Sequence, residues 1–191
     1  MNKFNDIIKA RRSVRAFIDK KVEREKLLRI LGDAIAAPSA KNIQPWYFVV
    51  AENDVAIKIA DIMAEKLCAR VAADPAFRAG SVAQTAEIVR RAPVFIAVFD
   101  VSGGILPPAP IQQSIGAAIE NLCLSAENEG LGSLWILDIF DCAEEIGALL
   151  GENGRGRRLA AGVAIGYAAP NLPPRSGRRA LGETVRFLDN E

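Results

Sequence analysis

The segment Arg11-Arg12-Ser13-Val14-Arg15-Ala16-Phe17 brings three guanidinium groups and a hydroxyl group together within five residues. It follows an amphipathic helix predicted over residues 3–11, in which Phe4, Ile7 and Ile8 recur at helical spacing. Arginine presents a planar fork of donors that matches the oxygen atoms of a phosphate group. The segment therefore indicates either an anion site or a solvated basic helix end, because arginine also suits a helix C-terminus.

A second polar segment, Pro38-Ser39-Ala40-Lys41-Asn42-Ile43-Gln44-Pro45-Trp46, joins a predicted helix to a predicted strand. Its serine, asparagine and glutamine lie between two prolines, so a stiff backbone offers both donors and acceptors. Such a loop can bind the edge of a heteroaromatic ring or a ribityl chain. It can equally be an ordinary turn, for which proline, serine and asparagine are the usual residues.

The pattern of apolar residues outlines the rest of the chain. Residues 94–99 form a continuous apolar run, typical of a strand buried on both faces. Residues 111–129 are apolar on nearly every side, which is typical of a helix in a core or a subunit interface. Further predicted elements are strands at 46–50, 134–137 and 160–167 and helices at 22–37, 54–72, 83–91 and 142–150. We predict one α+β domain over residues 1–191, with a mixed sheet of four or five strands flanked by helices.

Composition excludes several classes of function. The 24 basic and 23 acidic residues nearly cancel, so no nucleic-acid partner is indicated. The absence of histidine rules out Ser-His-Asp and Cys-His catalytic groups and histidine-containing zinc sites, and we expect no metal. Cys68, Cys123 and Cys142 are far apart and are expected to be core residues in a reducing compartment. The sequence has no signal-peptide core and no apolar run near the ~20 residues that a membrane span needs. We therefore expect a cytoplasmic protein with no membrane partner.

Two more segments stand where predicted elements end. Gly130-Leu131-Gly132 joins the apolar helix to the strand that holds Trp135; glycines let a backbone approach a flat ligand, but they also suit a plain helix end. No Gly-x-Gly-x-x-Gly follows a strand, so a Rossmann-type site is not predicted. The tail from residue 168 carries Arg175, Arg178 and Arg179 and has too few apolar residues to fold on itself. Basic tails of this kind are usually solvated.

Taken in order and spacing, these segments resemble the FMN-dependent nitroreductase family. The resemblance runs from Asn5 to Arg186 through Arg-Arg-Ser-x-Arg-x-Phe, Pro-Ser-x-x-Asn-x-Gln-Pro-Trp-x-Phe, an apolar helix into Gly-Leu-Gly, a Gly-Tyr strand end and Arg-Arg-x-Leu-x-Glu. Two departures are Ala168, where the family commonly has proline, and a compact middle without the long helical insertion of larger members. Between the second and third segments, Arg70 is the one candidate for the family's polar residues.

The resemblance implies an interlocked homodimer with FMN at the subunit interface, and a tail of residues 168–191 that packs on the partner subunit. Arg11 and Ser13 resemble the phosphate ligands, and Arg12 a neighbour of the phosphate or the ribityl chain. Arg178, with Arg175, would return to the phosphate from the tail.

At the other end of FMN, Arg15 resembles the cation beside the pyrimidine edge of the flavin. The resemblance implies that Pro38, Ser39 and Ala40 of the partner subunit cover the flavin ring, with support from Asn42 and Gln44. Within the chain, the residues that would line the flavin are Trp135, Ile136 and Leu137.

The implied chemistry needs no catalytic side chain. FMN would take a hydride from NADH or NADPH at N5 and pass it to a small oxidised substrate such as a nitroaromatic, a quinone or an activated alkene, in a ping-pong cycle. Arg15 would stabilise negative charge near N1 of the flavin. Three alternatives stay open: a flavin-binding or flavin-delivering protein without efficient turnover, a relative that dehalogenates substrates or fragments flavin with oxygen, and an FMN-free interaction module.

Overall fold

The computed structural model describes residues 3–74 and 80–188. Helices and strands follow the predicted pattern, with ends that differ by a few residues. The helices are α1 (Lys3–Ala10), α2 (Arg24–Ile35), α3 (Asp54–Ala73), α4 (Gly80–Arg91), α5 (Pro108–Asn128) and α6 (Ala143–Leu149). The strands are β1 (Trp46–Glu52), β2 (Val94–Asp100), β3 (Gly132–Ile136) and β4 (Arg158–Gly166). The α+β prediction with four strands is confirmed.

The sheet has the strand order β1-β2-β4-β3, and all three neighbouring pairs run antiparallel. The parallel part of the predicted mixed sheet is limited to one bridge, between Ser13 and Ser133 at the β3 edge. The two middle strands are β2 and β4, and every residue of β2 is buried. A continuous apolar run was therefore the correct signal for a strand covered on both faces.

Helices cover both faces of the sheet, and the side chains of β2 alternate between them. Phe95 and Phe99 pack in a cluster with α3 and α4 residues such as Met63, while Ile96 and Val98 pack in a cluster with α2 and α5 residues. This alternation is the two-residue period of a strand. None of the helices in the described ranges is long and apolar enough to cross a membrane.

The apolar face of α2 is only partly covered by the rest of the chain. Leu27, Ile30 and Ala34 are buried, but the side chains of Leu28 and Ile35 are 58% and 55% exposed. The apolar stripe is wider than the surface of α5 against which α2 packs. Two large apolar side chains of α2 are thus left facing outward.

The segment after α1 is fixed against the β3 edge. The Val14 N–H donates to the Ser133 carbonyl at 2.9 Å, and the Ile18 N–H donates to the Tyr167 carbonyl at 3.0 Å. Val14 lies so close to Gly132 that a Cβ added there would stand 2.6 Å from Val14 Cγ2. Only a glycine allows this approach. The contact sets where the side chains of Arg12, Ser13 and Arg15 emerge from the protein.

Candidate functional site

A cavity of about 430 Å³ lies between the segment after α1 and the C-terminal tail. We call it the arginine cavity, because five arginines form much of its wall. It brings together residues that are far apart in sequence, from positions 11–16 and 172–178. Its lining residues are Arg11, Arg12, Ser13, Arg15, Ala16, Leu172, Pro173, Pro174, Arg175, Ser176 and Arg178.

The guanidinium groups in this cavity are only partly satisfied by the protein. Arg11 Nε forms an ion pair with Glu120 Oε1 at 3.3 Å, and an Arg12 terminal amino group donates to the Pro173 carbonyl. Arg12 Nε is buried and has no hydrogen-bond partner among the described residues. A buried donor without a partner is costly. An anion with several oxygen atoms, such as a phosphate group, would satisfy this donor and reduce repulsion among the cations.

A second cavity, of about 260 Å³, lies at the end of β3 and shares Arg15 with the first. We call it the strand-end cavity. Trp135 and Leu137 give it apolar walls, and their side chains are 40% and 51% exposed. At its polar side, the Thr85 hydroxyl donates to Asp138 Oδ2 at 2.9 Å. The full lining is Arg15, Gln84, Thr85, Ile88, Leu134, Trp135, Ile136, Leu137 and Asp138.

Arg15 therefore joins a cationic cavity to an apolar one. A ligand that spans both would place an anionic group among the arginines and a flat apolar group beside Trp135. The shared guanidinium would lie between the two ends, where it can stabilise a negative charge that develops on the flat group.

The segment of residues 38–46 lies elsewhere in the chain. Pro38, Ser39 and Ala40 line an open cavity of about 320 Å³ with the first turns of α5, and the lining of this cavity shares no residue with the other two. The Ala40 N–H donates to Ser114 Oγ at 3.1 Å, which attaches the segment to α5. Within the described chain, the loop does not meet the arginines.

The loop backbone is unusual as well as remote. Lys41, Asn42 and Gln44 have φ angles of 53°, 55° and 47°, in the left-handed region that residues other than glycine rarely adopt. Two hydrogen bonds hold this shape, from the Gln44 N–H to Ser39 Oγ at 3.0 Å and from Gln44 Nε2 to Asn42 Oδ1 at 3.3 Å. Asn42 and Gln44 are thus positioned to support the conformation of Ser39.

The sequence patterns did not predict three polar residues of the strand-end cavity, Gln84, Thr85 and Asp138. Gln84 and Thr85 belong to α4, where polar residues are ordinary on a helix surface, and no local signal separated them from solvated neighbours. Asp138 directly follows the predicted flavin-lining strand, so its position was a usable signal. The candidate Arg70 instead forms an ion pair with Asp141 and does not line either cavity.

The buried thiols have no role in this geometry. Burial raises the pKa of the Cys123 thiol to about 11, although a hydrogen bond with Ser133 acts in the opposite direction. Burial likewise raises the pKa of the Cys142 thiol to about 11. A thiol with such a pKa stays protonated near neutral pH and is a poor nucleophile. The prediction that these two cysteines are core residues is confirmed by their burial, whereas Cys68 is exposed.

Comparison with known proteins adds to this geometry. The model of a family described as the nitroreductase family matches residues 8–167. A protein of Archaeoglobus fulgidus, provisionally named NADH dehydrogenase/NAD(P)H nitroreductase, is 31% identical over 143 residues, which are 75% of this chain and 71% of that protein. The 5,6-dimethylbenzimidazole synthase of Rhodospirillum rubrum is 34% identical over 137 residues, 66% of this chain and 64% of that protein.

Among solved structures, a provisionally named nitroreductase of Desulfovibrio desulfuricans in complex with FMN has the same fold. The two structures superpose with a TM-score of 0.78 and 29% sequence identity, over 100% of this chain and 99% of the other. The similarity therefore extends over both the arginine cavity and the strand-end cavity.

Proposed function

This chain belongs to the nitroreductase family, and on that premise we propose that it is an FMN-dependent oxidoreductase that uses NADH or NADPH to reduce a small oxidised organic molecule. One observation carries the proposal. The buried, unpartnered Arg12 Nε lies in a cavity of arginines that Arg15 connects to an apolar cavity beside Trp135. A phosphate joined to a flat ring system is the ligand chemistry that fits both ends.

The residues fit FMN at each end of the molecule. Arg11, Arg12, Ser13, Arg175 and Arg178 would hold the phosphate group through charge-assisted hydrogen bonds. Trp135, Ile136 and Leu137 would line the ring system. When bound, FMN supplies the redox chemistry, by accepting a hydride from the reduced nicotinamide and delivering it to the second substrate.

The protein's own contribution is electrostatic and steric. Arg15, which lines both cavities, stabilises the negative charge of the reduced ring system. One side of the strand-end cavity is closed to water by the apolar residues Ile88, Leu134 and Ile136. Away from water, the attraction between the Arg15 guanidinium and a negative charge on the ring system is stronger. The Thr85–Asp138 hydrogen bond fixes the polar side of the same cavity. No catalytic acid or base from a side chain is needed.

We also propose that the active form is a homodimer. In such a dimer, Pro38, Ser39 and Ala40 of one chain cover the flavin held by the other chain's arginines. The described chain leaves suitable apolar surface for this association: Phe4, Leu28 and Ile35 are each more than half exposed. The tail would pack on the partner, because Leu181, Phe187 and Leu188 are each more than 70% exposed here.

A second candidate function follows from the similarity to 5,6-dimethylbenzimidazole synthase. In that case the flavin itself would be fragmented with oxygen, and the same two cavities would hold FMN as the substrate. The two candidates differ in their products and not in the binding of FMN.

The deciding experiment starts from purified protein reconstituted with FMN. We expect anaerobic bleaching of the flavin by NADH or NADPH, followed by reoxidation with a nitroaromatic, a quinone or an activated alkene. Incubation in air with excess reduced FMN, followed by mass spectrometry for 5,6-dimethylbenzimidazole, tests the second candidate. A protein that is colourless once unbound FMN has been removed would contradict both candidate functions.

A further inference from the structure

The strand-end cavity has a negatively charged side chain as well as the positively charged Arg15. Asp138 lies two residues after the end of β3 and is exposed to solvent. It lines the cavity together with Arg15 and Trp135. A molecule that enters this cavity therefore meets one charge of each sign beside an aromatic wall.

The orientation of the Asp138 carboxylate is fixed by Thr85 of α4. Thr85 is 8% exposed, and its hydroxyl donates to Asp138 Oδ2 at 2.9 Å. A threonine side chain has few rotamers, so the bond holds the carboxylate at the cavity wall. No group of the described residues donates to the other oxygen, Oδ1. That oxygen can accept a hydrogen bond from a ligand.

The cations nearest to Asp138 on its other side are paired with other carboxylates. Lys66 and Arg70 line a small neighbouring cavity together with Asp138, but Lys66 pairs with Glu145 and Arg70 pairs with Asp141. Asp138 takes part in none of the ion pairs that the described part of the chain forms. Its negative charge is therefore not neutralised by an ion pair within the protein.

We propose that Asp138, positioned by Thr85, makes the strand-end cavity select uncharged aromatic substrates that carry an N–H or O–H donor over anionic ones. A donor group can form a charge-assisted hydrogen bond with Oδ1, whereas an anionic group is repelled by the carboxylate. This inference rests on the proposed function, in which Arg15 lies beside the ring system of FMN and its charge is balanced by the reduced ring. The Asp138 charge is then the one that a substrate meets.

The test compares two substrates of nearly the same shape, 4-nitrobenzamide and 4-nitrobenzoate. The full chain loaded with FMN and supplied with NADH or NADPH gives kcat and KM for each. Because the two nitro groups differ in intrinsic reactivity, the quantity to compare is the change in the ratio of the two kcat/KM values between wild type and variant. Binding of benzamide and of benzoate, followed by the change in flavin absorbance, measures the same preference without turnover.

Asp138→Asn keeps the shape of the side chain and removes its charge. We expect the preference for the amide over the carboxylate to fall by about threefold, the size typical of one exposed charge. The change should arise from KM for 4-nitrobenzoate, with kcat nearly unchanged, and benzoate should bind more tightly by a similar factor. An unchanged preference in both measurements would overturn the proposal, as would a change that lies in kcat alone.

Two further comparisons separate the charge of Asp138 from other effects. Thr85→Val removes the hydroxyl and should lower the preference in the same direction by about twofold, whereas Thr85→Ser keeps a hydroxyl and should behave as wild type does. Glu87→Gln also removes one negative charge from the protein. Glu87 pairs with Arg91 and does not line the cavity, so the preference should stay at the wild-type value. A loss of preference in Glu87→Gln equal to that in Asp138→Asn would show that only net charge acts.

The proposed function and this inference can fail separately. If the wild-type protein binds FMN and is reduced by NADH or NADPH but Asp138→Asn keeps the wild-type preference, the function stands and the inference fails. If the wild-type protein binds no FMN, the function fails, and the charge of the cavity is then measured from the fluorescence of Trp135. Trp135 is 40% exposed and the other tryptophan, Trp46, is 7% exposed, so soluble quenchers report mainly on the cavity.

In that case, quenching by the anion iodide is compared with quenching by uncharged acrylamide. Asp138→Asn should raise the iodide quenching constant by about twofold while the acrylamide constant stays the same, because a repelling charge has been removed from beside Trp135. An iodide quenching constant equal to that of wild type would show that Asp138 does not set the charge of the cavity.

Discussion

The arginine cavity closes within one chain, whereas the loop of residues 38–46 opens onto a separate cavity against the start of α5. The first region draws on positions 11–16 and 172–178. The Ala169 N–H donates to the Ala16 carbonyl at 2.9 Å, and Arg12 donates to the Pro173 carbonyl, so the start of the tail lies beside the segment after α1. The second region has no described contact with those arginines. If both regions serve one ligand, the loop must come from a second chain.

The two regions also differ in backbone energy. The segment after α1 follows β3 through ordinary hydrogen bonds, but three loop residues have positive φ angles. Conformations of this kind cost about 1 kcal/mol or more each and persist when the surrounding structure fixes them. Anchoring by Ser39 and Ser114 provides that restraint. A shape maintained at such a cost is consistent with a loop formed to meet a ligand or a partner.

Removal of the tail should have the largest effect on both regions. A chain that ends at Ala169 loses Arg175 and Arg178, and we expect FMN affinity to fall by more than about a hundredfold, because each charge-assisted bond contributes about 1.5–3 kcal/mol. The dimer should weaken as well. Flavin titration and light scattering measure the two effects.

A chain that ends at Arg179 is the matched control for this deletion. It keeps both arginines but lacks Leu181, Phe187 and Leu188, so it should weaken the dimer more than it weakens the phosphate contact. A fully flavinated monomer of either truncated chain at micromolar concentration would contradict the shared site.

Arg12→Ala should have the next largest effect. The change removes the buried guanidinium and its bond to the Pro173 carbonyl, and we expect FMN binding to weaken by about 1.5–3 kcal/mol. Arg179→Ala removes an arginine that does not line the cavity and should leave the affinity within about twofold. Equal losses of FMN affinity in Arg12→Ala and Arg179→Ala would show that affinity depends only on the net charge of the protein.

A mixing experiment tests whether the arginine cavity and the loop of residues 38–46 that serve one flavin belong to different chains. At a flavin concentration too low to fill the weakened sites, Arg12→Ala and Ser39→Trp homodimers should each stay largely without flavin, the second because a bulky side chain blocks the covered ring. Mixed dimers of the two carry one intact site, so about one site in four should regain flavin. Mixing Arg12→Ala with Arg175→Ala should recover none, since both residues belong to the cavity of one chain. Recovery in that control but not in the first mixture would refute the model.

Gly132→Ala should destabilise the support of the arginine cavity. The added methyl group would stand 2.6 Å from Val14 Cγ2, so we expect a loss of about 1–3 kcal/mol in the free energy of unfolding and weaker FMN binding. Gly177→Ala is the control, because an added Cβ there has no atom within 4 Å. Chemical denaturation of both variants measures the difference; equal stabilities would mean that β3 and Val14 adjust freely.

Cys123→Ala should have the smallest effect. The thiol is buried, with its pKa raised to about 11, so we expect turnover within about twofold of the parent and a modest loss of stability. Steady-state reduction assays and thermal unfolding provide the test. Loss of turnover with flavin still bound would instead indicate that Cys123 takes part in the chemistry.

Local patterns predicted the elements well. The continuous apolar run at 94–99 identified β2, and helical spacing placed α3 and α5 to within a few residues. Helical spacing does not predict that Leu28 and Ile35 are exposed, because it defines an apolar stripe but not the width of the surface that covers it. Gln84 and Thr85 were not predicted for a similar reason. They resemble ordinary surface residues, because no local pattern shows that β3 lies beside them.

The sequence by itself determined the α+β class, the guanidinium fork at Arg11 to Arg15 and the lack of any histidine-based chemistry, because these depend on residue type and short-range period. Only the tertiary structure decided that the tail arginines meet that fork and that Arg15 belongs to two cavities. The tertiary structure also decided that the loop of residues 38–46 lies apart from the arginine cavity and the strand-end cavity. Positions 15, 40 and 175 are separated by long stretches of chain, and their distances depend on strand order and on how α5 crosses the sheet, which no local pattern encodes.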